Sequence, residues 1–304
     1  MAFFLGIDGG GTKTRCIVGN ESSELGAGTS SSCRVQKVGE AFARDSLSAA
    51  IHETCVQVGI SPREIARTCA GVTGAARTEI AEVMRGLIAS IVGGEIDVVG
   101  DIDVAFQDAF DKKPGVIVIA GTGAIVFGRN ELGESRRASG WGPAVSDEGS
   151  GHWIGAEAVR VALHAYDRGE KDALLAALQK QLGAESFADF IVKVNASPPP
   201  DFSVLVPQVV SSADEGDHRA RELLERAGRE LAGATEIVIR RLFGDASVSV
   251  ATHGGVIASS SIVKASFERN VKVNYPQAVL LDKAVDPARG ALQRARSKFK
   301  GVDT

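Results

Sequence analysis

The sequence contains no run of about 20 apolar residues, and no basic leader precedes its first strand-like segment. These absences favour a cytoplasmic protein that does not span a membrane. The net charge is also small, −4 over 304 residues. Such a charge gives no electrostatic reason to expect nucleic acid or an anionic membrane as a partner. Any site for an anion must therefore be a local arrangement of a few residues.

Cysteine and histidine are scarce, with four and five residues respectively. The cysteines show no CxxC or zinc spacing, and the histidines form no HExxH motif, so we assign no metal to either type. Cysteines with such irregular spacing are typically reduced and pack in the core as small hydrophobic residues. The residues expected to be buried in this way are Cys16, Cys33, Cys55 and Cys69.

Length and composition are those of a globular protein. Hydrophobic residues make up 44% of the chain and charged residues 24%, which excludes disordered and fibrous classes. A chain of 304 residues is about twice the length of a typical single domain. We therefore expect two domains, residues 1–115 and residues 116–304.

Two glycine-rich turns are the most informative segments of the chain. The first is Gly-Gly-Gly-Thr-Lys-Thr at residues 9–14, the second is Gly-Thr-Gly-Ala at residues 121–124, and each lies between two strand-like runs. Glycine allows backbone N–H groups to approach an anion closely. Neither turn has the spacing of a P-loop or a Rossmann fingerprint. Either alone could be an ordinary β-hairpin, but together they predict two loops that bind the phosphates of one nucleotide.

Asp8 ends the strand-like run before the first turn, where the phosphates would lie. Magnesium prefers oxygen ligands and keeps part of its hydration shell in most protein sites. We therefore expect Asp8 to hold Mg²⁺, largely through water.

Strand-like and helical segments alternate along the chain. The pattern predicts helices at residues 39–58, 79–91, 153–167, 171–182, 187–194, 217–242 and about 260–268, with a capping box at residues 61–64.

Alternation of strands and helices predicts an α/β fold in which ligands bind at the carboxyl ends of strands. Asp101 follows such a strand, residues 96–100. Because both halves begin with strand, glycine turn and strand, we expect a duplicated domain with an active-site cleft between the copies.

Four segments in order carry a family resemblance: residues 8–14, residues 120–123, the Gly-Trp-Gly-Pro-Ala-Val-Ser-Asp-Glu-Gly-Ser stretch at residues 140–150, and His-Gly-Gly-Val at residues 253–256. They resemble the phosphate 1, phosphate 2, sugar-loop and adenosine segments of the BadF/BadG/BcrA/BcrD ATPase family, with its N-acetylglucosamine and glucosamine kinase branch closest. The resemblance implies duplicated actin-like (ribonuclease H-like) ATPase domains, shared with Hsp70 and hexokinase.

The resemblance also implies roles for individual residues. Asp101 would be the catalytic base, with Asp103 as an alternative, and Asp8 would hold the metal. The sugar would contact Ser31, Trp141, Gly142 and Asp147. ATP would contact the two turns and the later glycine pair through Gly10, Gly11, Thr12, Lys13, Gly121, Thr122, Gly123, Gly254 and Gly255.

Three of these roles have a simpler alternative. Asp147 could cap the following helix, Trp141 could be a packing residue, and Lys13 could point to solvent. The expected cofactors are ATP and Mg²⁺. The expected partners are a small-molecule sugar and a second copy of the chain, with neither nucleic acid nor membrane.

The chain departs from the kinase pattern at two places. An asparagine that meets the sugar is replaced by Ala124 and Ile125, and residues 26–32 lack a second asparagine, so serines and a threonine must serve there. We therefore expect phosphoryl transfer to the 6-hydroxyl of an amino sugar, and the acceptor can be N-acetylglucosamine, glucosamine or a related sugar.

Two other functions are considered. One is an ATPase that activates a 2-hydroxyacyl-CoA dehydratase or benzoyl-CoA reductase, which needs iron–sulfur cysteines near the second half's glycine segments; here all cysteines lie within the first 69 residues. The other is a nucleotide-dependent regulator, which the presence of both Asp101 and Asp147 disfavours. The zinc-binding cysteine cluster of ROK-type sugar kinases is absent from the sequence.

Overall fold

The computed structural model describes residues 2–170 and 173–298 of the chain. These residues form two units, each built around its own sheet. Unit 1 comprises the residues up to Lys113 together with those from Lys283 onward, and unit 2 comprises Pro114–Asp282.

The sheet of unit 1 has five strands in the spatial order β3-β2-β1-β4-β5. Strands β1, β2 and β3 pair antiparallel, whereas β4 and β5 extend the sheet in parallel from β1. The strands are β1 (Phe3–Gly9), β2 (Lys13–Gly19), β3 (Glu24–Ser31), β4 (Ile65–Val72) and β5 (Glu95–Gly100). The helices within the first 113 residues are α1 (Val35–Val38), α2 (Glu40–Val58), α3 (Thr78–Ile91) and α4 (Asp101–Phe110).

Strand β1 is buried on both faces, which makes it the centre of unit 1. Leu5 and Ile7 lie in one apolar cluster with residues of α2 and α3. Phe4 lies in a separate cluster with Val104 of α4. Because successive side chains of a strand point to opposite faces, the run of apolar residues in β1 supports helices on both sides of the sheet. The capping box at residues 61–64 is present, at the start of a short 3₁₀ helix, Pro62–Glu64.

The sheet of unit 2 repeats this plan. Its order is β10-β9-β6-β7-β8; strands β6, β7 and β8 are antiparallel, and β9 and β10 continue in parallel from β6. The strands are β6 (Gly115–Ala120), β7 (Ala124–Arg129), β8 (Ser135–Ala138), β9 (Val248–His253) and β10 (Ala278–Leu280). In each unit the glycine turn joins the central strand to its antiparallel neighbour. The predicted duplication of an α/β domain is therefore confirmed.

The described residues of unit 2 form a short 3₁₀ helix, Phe202–Leu205, and seven α-helices: α5 (Gly151–Asp167), α6 (Ala173–Gln181), α7 (Phe187–Val194), α8 (Val206–Asp214), α9 (His218–Phe243), α10 (Gly255–Ser259) and α11 (Ser261–Asn274). The predictions at residues 153–167, 187–194 and 217–242 agree with α5, α7 and α9. The helix predicted at residues 171–182 is found as α6, although residues 171 and 172 lie outside the described residues. The helix expected at residues 260–268 continues to Asn274, because apolar residues such as Val271 still reach the core.

The last helix, α12 (Pro287–Ser297), belongs to unit 1. This differs from the expectation that residues 116–304 form one domain. The helix can approach the sheet because Gly6 of β1 has no side chain: a Cβ there would lie 2.2 Å from the carbonyl oxygen of Ala288. An ion pair also holds the segment, since the Arg289 guanidinium donates to both oxygens of the buried Asp108 of α4 at 2.6 and 3.0 Å. The ion pair joins residues 181 positions apart, and the contact of Gly6 with Ala288 spans an even longer stretch of sequence, so no local pattern reveals either.

The four cysteines are free and buried, as expected for packing residues. Burial raises the pKa of the Cys55 thiol to about 11 and that of the Cys69 thiol to about 12. Over residues 2–170 and 173–298, the structure contains no helix with the length and apolar character needed to cross a bilayer.

Candidate functional site

The first glycine turn joins β1 to β2 in unit 1. The Gly10 N–H donates to the Lys13 carbonyl at 3.1 Å, and the Ser32 hydroxyl donates to the Gly10 carbonyl at 3.0 Å. Among the described residues, the N–H groups of Gly11 and Thr12 have no hydrogen-bond acceptor. Thr12 and Lys13 are exposed. The turn therefore presents free backbone donors at its tip, which is what binding of an anion requires.

Two basic side chains that the sequence analysis did not select lie beside this turn. Lys37 donates from Nζ to the Gly11 carbonyl at 3.2 Å. A guanidinium nitrogen of Arg34, at the start of α1, lies 3.9 Å from where a Cβ on Gly11 would be. Within the described part of the chain Arg34 forms no ion pair. Its charge is therefore available to a bound anion, and its position just before a short helix left no distinctive pattern in the sequence.

Ser31, a predicted sugar contact, ends β3 opposite Lys13 of β2. Its carbonyl accepts a hydrogen bond from the Thr14 hydroxyl at 2.7 Å, and its side chain is exposed. The structure thus brings Ser31 to the same edge of the sheet as the first turn.

Asp8 lies one residue before the end of β1, opposite Arg15 of β2 and Gly71 of β4. Burial, together with the negative charges of Asp101 and Asp286, raises its pKa to about 7, although Lys13 and Arg15 act in the opposite direction. A carboxyl group in such surroundings gains from a nearby cation. Asp8 therefore has the electrostatic surroundings expected of a residue that faces a metal ion.

The residues around Asp8 fit magnesium that keeps most of its water. In the described residues, no three side chains of histidine, cysteine, aspartate or glutamate converge into a site that could hold a metal unaided. Magnesium in nucleotide sites commonly takes one or two carboxylates, several waters and the phosphate oxygens of the substrate. Asp8 fits this arrangement, with the remaining ligands supplied from outside the protein.

Asp101 is the first residue of α4 and follows directly on β5. The Thr73 hydroxyl donates to its Oδ2 at 2.8 Å, and the N–H of Ile102 donates to its Oδ1 at 3.0 Å. The positive end of the helix dipole also favours a carboxylate here. Asp101, rather than the alternative Asp103, is among the main charges that raise the pKa of Asp8. The structure thus brings two of the predicted site residues of unit 1 close to each other.

Two supporting residues in unit 1 were missed at the sequence level. Thr73 follows the last residue of β4, so the rule that functional side chains gather at strand ends could have found it. Asp286 accepts a hydrogen bond from the Arg15 side chain at 3.1 Å and caps α12. Because 271 positions separate Arg15 from Asp286, the sequence carried no local signal for their pairing.

The second glycine turn joins β6 to β7 in unit 2 and is held against the start of α5. The carbonyls of Gly121 and Thr122 accept hydrogen bonds from the N–H groups of Gly151 at 2.8 Å and His152 at 3.1 Å. Among residues 2–170 and 173–298, no acceptor contacts the N–H groups of Thr122 and Gly123. The turn is therefore fixed on its carbonyl side and open on its N–H side.

Asp147 contacts this second turn directly. Its Oδ1 accepts a hydrogen bond from the N–H of Ala124 at 3.1 Å, and its side chain is buried. Burial raises its pKa, while the Ala124 N–H and the charge of His152 lower it. The alternative that Asp147 caps α5 is not supported, because Ser150 is the capping residue and accepts from the N–H of Trp153 at 3.0 Å.

Trp141 and Gly142 begin the loop that leads to Asp147. The Trp141 side chain is 64% exposed, so it is not a core packing residue. Its backbone N–H donates to the Ser146 carbonyl at 3.0 Å, and Gly142 forms an isolated β-bridge with Ser146. The Arg137 guanidinium lies 3.7 Å above the indole ring. The loop is thus closed by its own hydrogen bonds and presents an aromatic surface to solvent.

The glycine pair after β9 has two different environments. Gly254 has a φ of +112°, and a Cβ on it would lie 2.3 Å from the Ala120 carbonyl oxygen. Gly255, the first residue of α10, has no atom within 4 Å of the corresponding position. Glycine is therefore required at position 254, where the backbone lies close to Ala120 at the start of the second turn. The open space at Gly255 could accommodate a ligand.

Comparison with known proteins identifies the family of the chain. A profile described as the BadF/BadG/BcrA/BcrD ATPase family matches residues 5–295. An N-acetylmuramic acid/N-acetylglucosamine kinase from Clostridium acetobutylicum is 33% identical over 98% of this chain and 99% of its own. An N-acetyl-D-glucosamine kinase from Dictyostelium discoideum is 30% identical over 98% of both chains.

Among solved structures, a proposed N-acetylglucosamine kinase from Chromobacterium violaceum superimposes with a TM-score of 0.75, at 24% identity over 96% of this chain and 98% of that one. At this identity the likeness concerns the fold. The profile, in contrast, spans nearly the whole sequence and includes both glycine turns, Asp8, Asp101 and Asp147. The chain belongs to the BadF/BadG/BcrA/BcrD ATPase family.

Proposed function

We propose that this protein is an ATP-dependent kinase that transfers the γ-phosphoryl group to the 6-hydroxyl of an amino sugar such as N-acetylglucosamine or glucosamine. The kinase names of the two relatives that are 30% and 33% identical over the whole chain support the class of reaction. The observation that carries the mechanism is the position of Asp101, which lies with Asp8 beside a turn that has free backbone donors.

Unit 1 would supply the groups that act on the transferred phosphoryl group. The N–H groups of Gly11 and Thr12 would bind phosphate oxygens, and Arg34 would add a positive charge at the same turn. Asp8 would orient the hydrated magnesium. When bound, that ion neutralises the negative charge that develops on the phosphate oxygens.

Asp101 would accept the proton of the sugar hydroxyl as that oxygen attacks phosphorus. The hydrogen bonds from Thr73 and the Ile102 N–H fix the carboxylate in one orientation. A general base must be held within hydrogen-bond reach of the proton it removes, and such positioning contributes about 10²- to 10⁴-fold to a rate. The two hydrogen bonds would hold Asp101 ready for this step.

Unit 2 would bind the sugar through the loop that begins at Trp141. A carboxylate can accept hydrogen bonds from two neighbouring hydroxyls. One oxygen of Asp147, Oδ1, accepts a hydrogen bond from the Ala124 N–H. Its second oxygen faces Gly123, 3.1 Å from where a Cβ would be, so a side chain at that position would block access. The exposed indole of Trp141 would contact the ring.

Unit 2 would also contribute to ATP binding. The free N–H groups of Thr122 and Gly123 would contact phosphate, and the open face of Gly255 at the start of α10 would lie against adenosine. Glycine at this position allows a base to approach the backbone closely.

The activator function is not supported by the comparisons or by the positions of the cysteines. All four are free and buried, so none is placed to bind an iron–sulfur cluster at the surface. A regulator without catalytic activity is disfavoured by the positioned carboxylates of Asp101 and Asp147. Location in the cytoplasm, where ATP is abundant, and a homodimer are further parts of the proposal, and sedimentation of the purified protein tests the dimer.

A panel of hexoses and amino sugars with MgATP tests the function. ADP release and the mass of the product are measured for each sugar. We expect ADP release that depends on an N-acetylated or free amino sugar, with a product heavier by one phosphoryl group. ADP release at the same rate with and without every sugar would overturn the kinase proposal and favour the ATPase alternatives.

A further inference from the structure

Arg137 of β8 is held above the loop that leads to Asp147. Its guanidinium lies 3.7 Å from the centre of the Trp141 indole, and it donates a hydrogen bond to the Gly140 carbonyl at 2.8 Å. Stacking and this hydrogen bond fix a side chain that would otherwise sample many rotamers. The cation is thereby placed at the start of the predicted sugar loop.

No acidic side chain of the described residues forms an ion pair with Arg137. The other arginine that stacks on a tryptophan provides a comparison: Arg226 lies 4.6 Å from the Trp153 ring centre and also pairs with Glu157. A stacked arginine with a carboxylate partner is fully accounted for by the stability of the fold. Arg137 has the same aromatic support but lacks the anion.

The missing anion can come from the substrate. A guanidinium matches the two oxygens of a carboxylate and remains charged at all working pH values. N-acetylmuramic acid is an N-acetylated amino sugar that carries a carboxylate on a lactyl ether at its third carbon. The relative that is 33% identical is named for both this sugar and N-acetylglucosamine.

We propose that Arg137 binds the carboxylate of an acidic amino sugar, so that the acceptors of this kinase include sugars of the N-acetylmuramic acid class as well as neutral amino sugars. This role of Arg137 rests on the proposed function, because it requires the sugar to bind against the loop that runs from Trp141 to Asp147. Asp147 and the indole bind the part that both kinds of sugar share. Arg137 contacts only the acidic substituent, which makes it a residue that determines specificity.

The matched control is Arg136, the preceding residue of β8. It is also exposed, and it donates to the Ser135 carbonyl at 2.8 Å, but it does not stack on Trp141. Neighbouring residues of a strand point to opposite faces. Arg136→Gln therefore removes the same charge from the same strand without removing the proposed contact.

The experiment compares kcat/KM for N-acetylmuramic acid and N-acetylglucosamine in the wild type, Arg137→Gln and Arg136→Gln. We expect the wild type to phosphorylate both sugars. Arg137→Gln should lower kcat/KM for the acid about 10- to 100-fold, the range for a lost hydrogen bond to a charged group, while the value for N-acetylglucosamine changes less than about threefold. Arg136→Gln should leave the ratio of the two values unchanged.

A methyl ester of N-acetylmuramic acid gives a second test that needs no variant. The wild type should use the ester as poorly as Arg137→Gln uses the acid, and Arg137→Gln should not distinguish acid from ester. Equal losses for both sugars in Arg137→Gln, or a wild type that phosphorylates N-acetylglucosamine but not the acid, would overturn the role of Arg137 and leave the kinase function intact. A wild type that phosphorylates neither of these sugars, nor glucosamine or any other sugar of the panel, would overturn both.

Discussion

The Thr73 hydroxyl donates a 2.8 Å hydrogen bond to Oδ2 of Asp101. Thr73 directly follows β4, and Asp101 directly follows β5 as the first residue of α4. Because β4 and β5 are neighbouring parallel strands, both residues lie at the same end of the sheet. Asp101 also accepts the N–H of Ile102, which leaves the carboxylate with a defined direction. In the proposed mechanism, this pair sets the orientation of the general base.

Thr73→Val removes the hydroxyl and keeps the size and branching of the side chain. We expect kcat to fall about tenfold, the effect of a lost hydrogen bond to a charged group, because Asp101 loses one of its two orienting contacts. The KM for ATP should change little. Steady-state kinetics measure both values. Thr73→Ser retains the donor and is the control, and an equal loss in both variants would contradict the positioning role.

The raised pKa of Asp8 predicts how stability depends on pH in the ligand-free protein. The folded state holds the proton up to about pH 7, whereas the unfolded chain releases it near 3.8, the ordinary pKa of an aspartate. Protonated Asp8 therefore favours the folded state at low pH. This contribution is lost as the pH rises through 7, because charging the buried carboxyl is costly.

Asp8→Asn removes this dependence. We expect the variant to exceed the wild type in free energy of unfolding by about 1–3 kcal/mol at pH 8, and by less at pH 5. Denaturant unfolding at the two pH values, without metal or nucleotide, measures the difference. A difference that does not change with pH would contradict the assignment of a raised pKa.

The two glycines after β9 should respond differently to alanine. Gly254→Ala places a Cβ 2.3 Å from the Ala120 carbonyl oxygen at a positive φ, so we expect a loss of stability of about 2 kcal/mol or more. Gly255→Ala meets no neighbouring atom within 4 Å and should fold normally. If adenosine lies against Gly255, that variant should raise the KM for ATP.

Thermal unfolding and ATP kinetics of the two alanine variants separate these effects. Equal melting temperatures for Gly254→Ala and the wild type would show that the turn tolerates a side chain. An unchanged KM for ATP in Gly255→Ala would remove the support for an adenosine contact at α10.

Arg34 should contribute to the use of ATP. Its guanidinium lies beside Gly11 and forms no ion pair within the described residues. We expect Arg34→Gln to lower kcat/KM for ATP about tenfold, by the same amount with every acceptor sugar. Arg44→Gln, at an exposed position on α2, is the control and should not change it. A loss that depends on the sugar would place Arg34 at the acceptor instead.

The local parts of the site could be predicted from the sequence. Glycine turns between strands, and carboxylates at strand ends, each lie within a few residues of the pattern that reveals them, which is why Asp8 and Asp101 could be selected as candidates. Helix α9 was predicted because its apolar residues keep a helical period over many turns.

Contacts across the chain could not be predicted in this way. The return of α12 to unit 1 depends on Gly6 and on the pairing of Asp108 with Arg289, residues whose proximity only the folded chain shows. The pairing of Arg15 with Asp286 is hidden for the same reason. The stack of Arg137 on Trp141 joins a strand to a loop, and no periodicity relates the two positions.

Kinetics of Asp101→Asn with an amino sugar and MgATP test the central claim most directly, with Asp103→Asn as the matched control on the same turn of α4. Because the variant keeps the shape of the carboxylate but cannot accept the proton, we expect kcat to fall by about 10²-fold or more while ATP binding, measured by calorimetry, is retained. Asp103→Asn should keep most of the activity. Normal phosphorylation of the sugar by Asp101→Asn, or a larger loss in Asp103→Asn, would contradict the claim that Asp101 is the catalytic base.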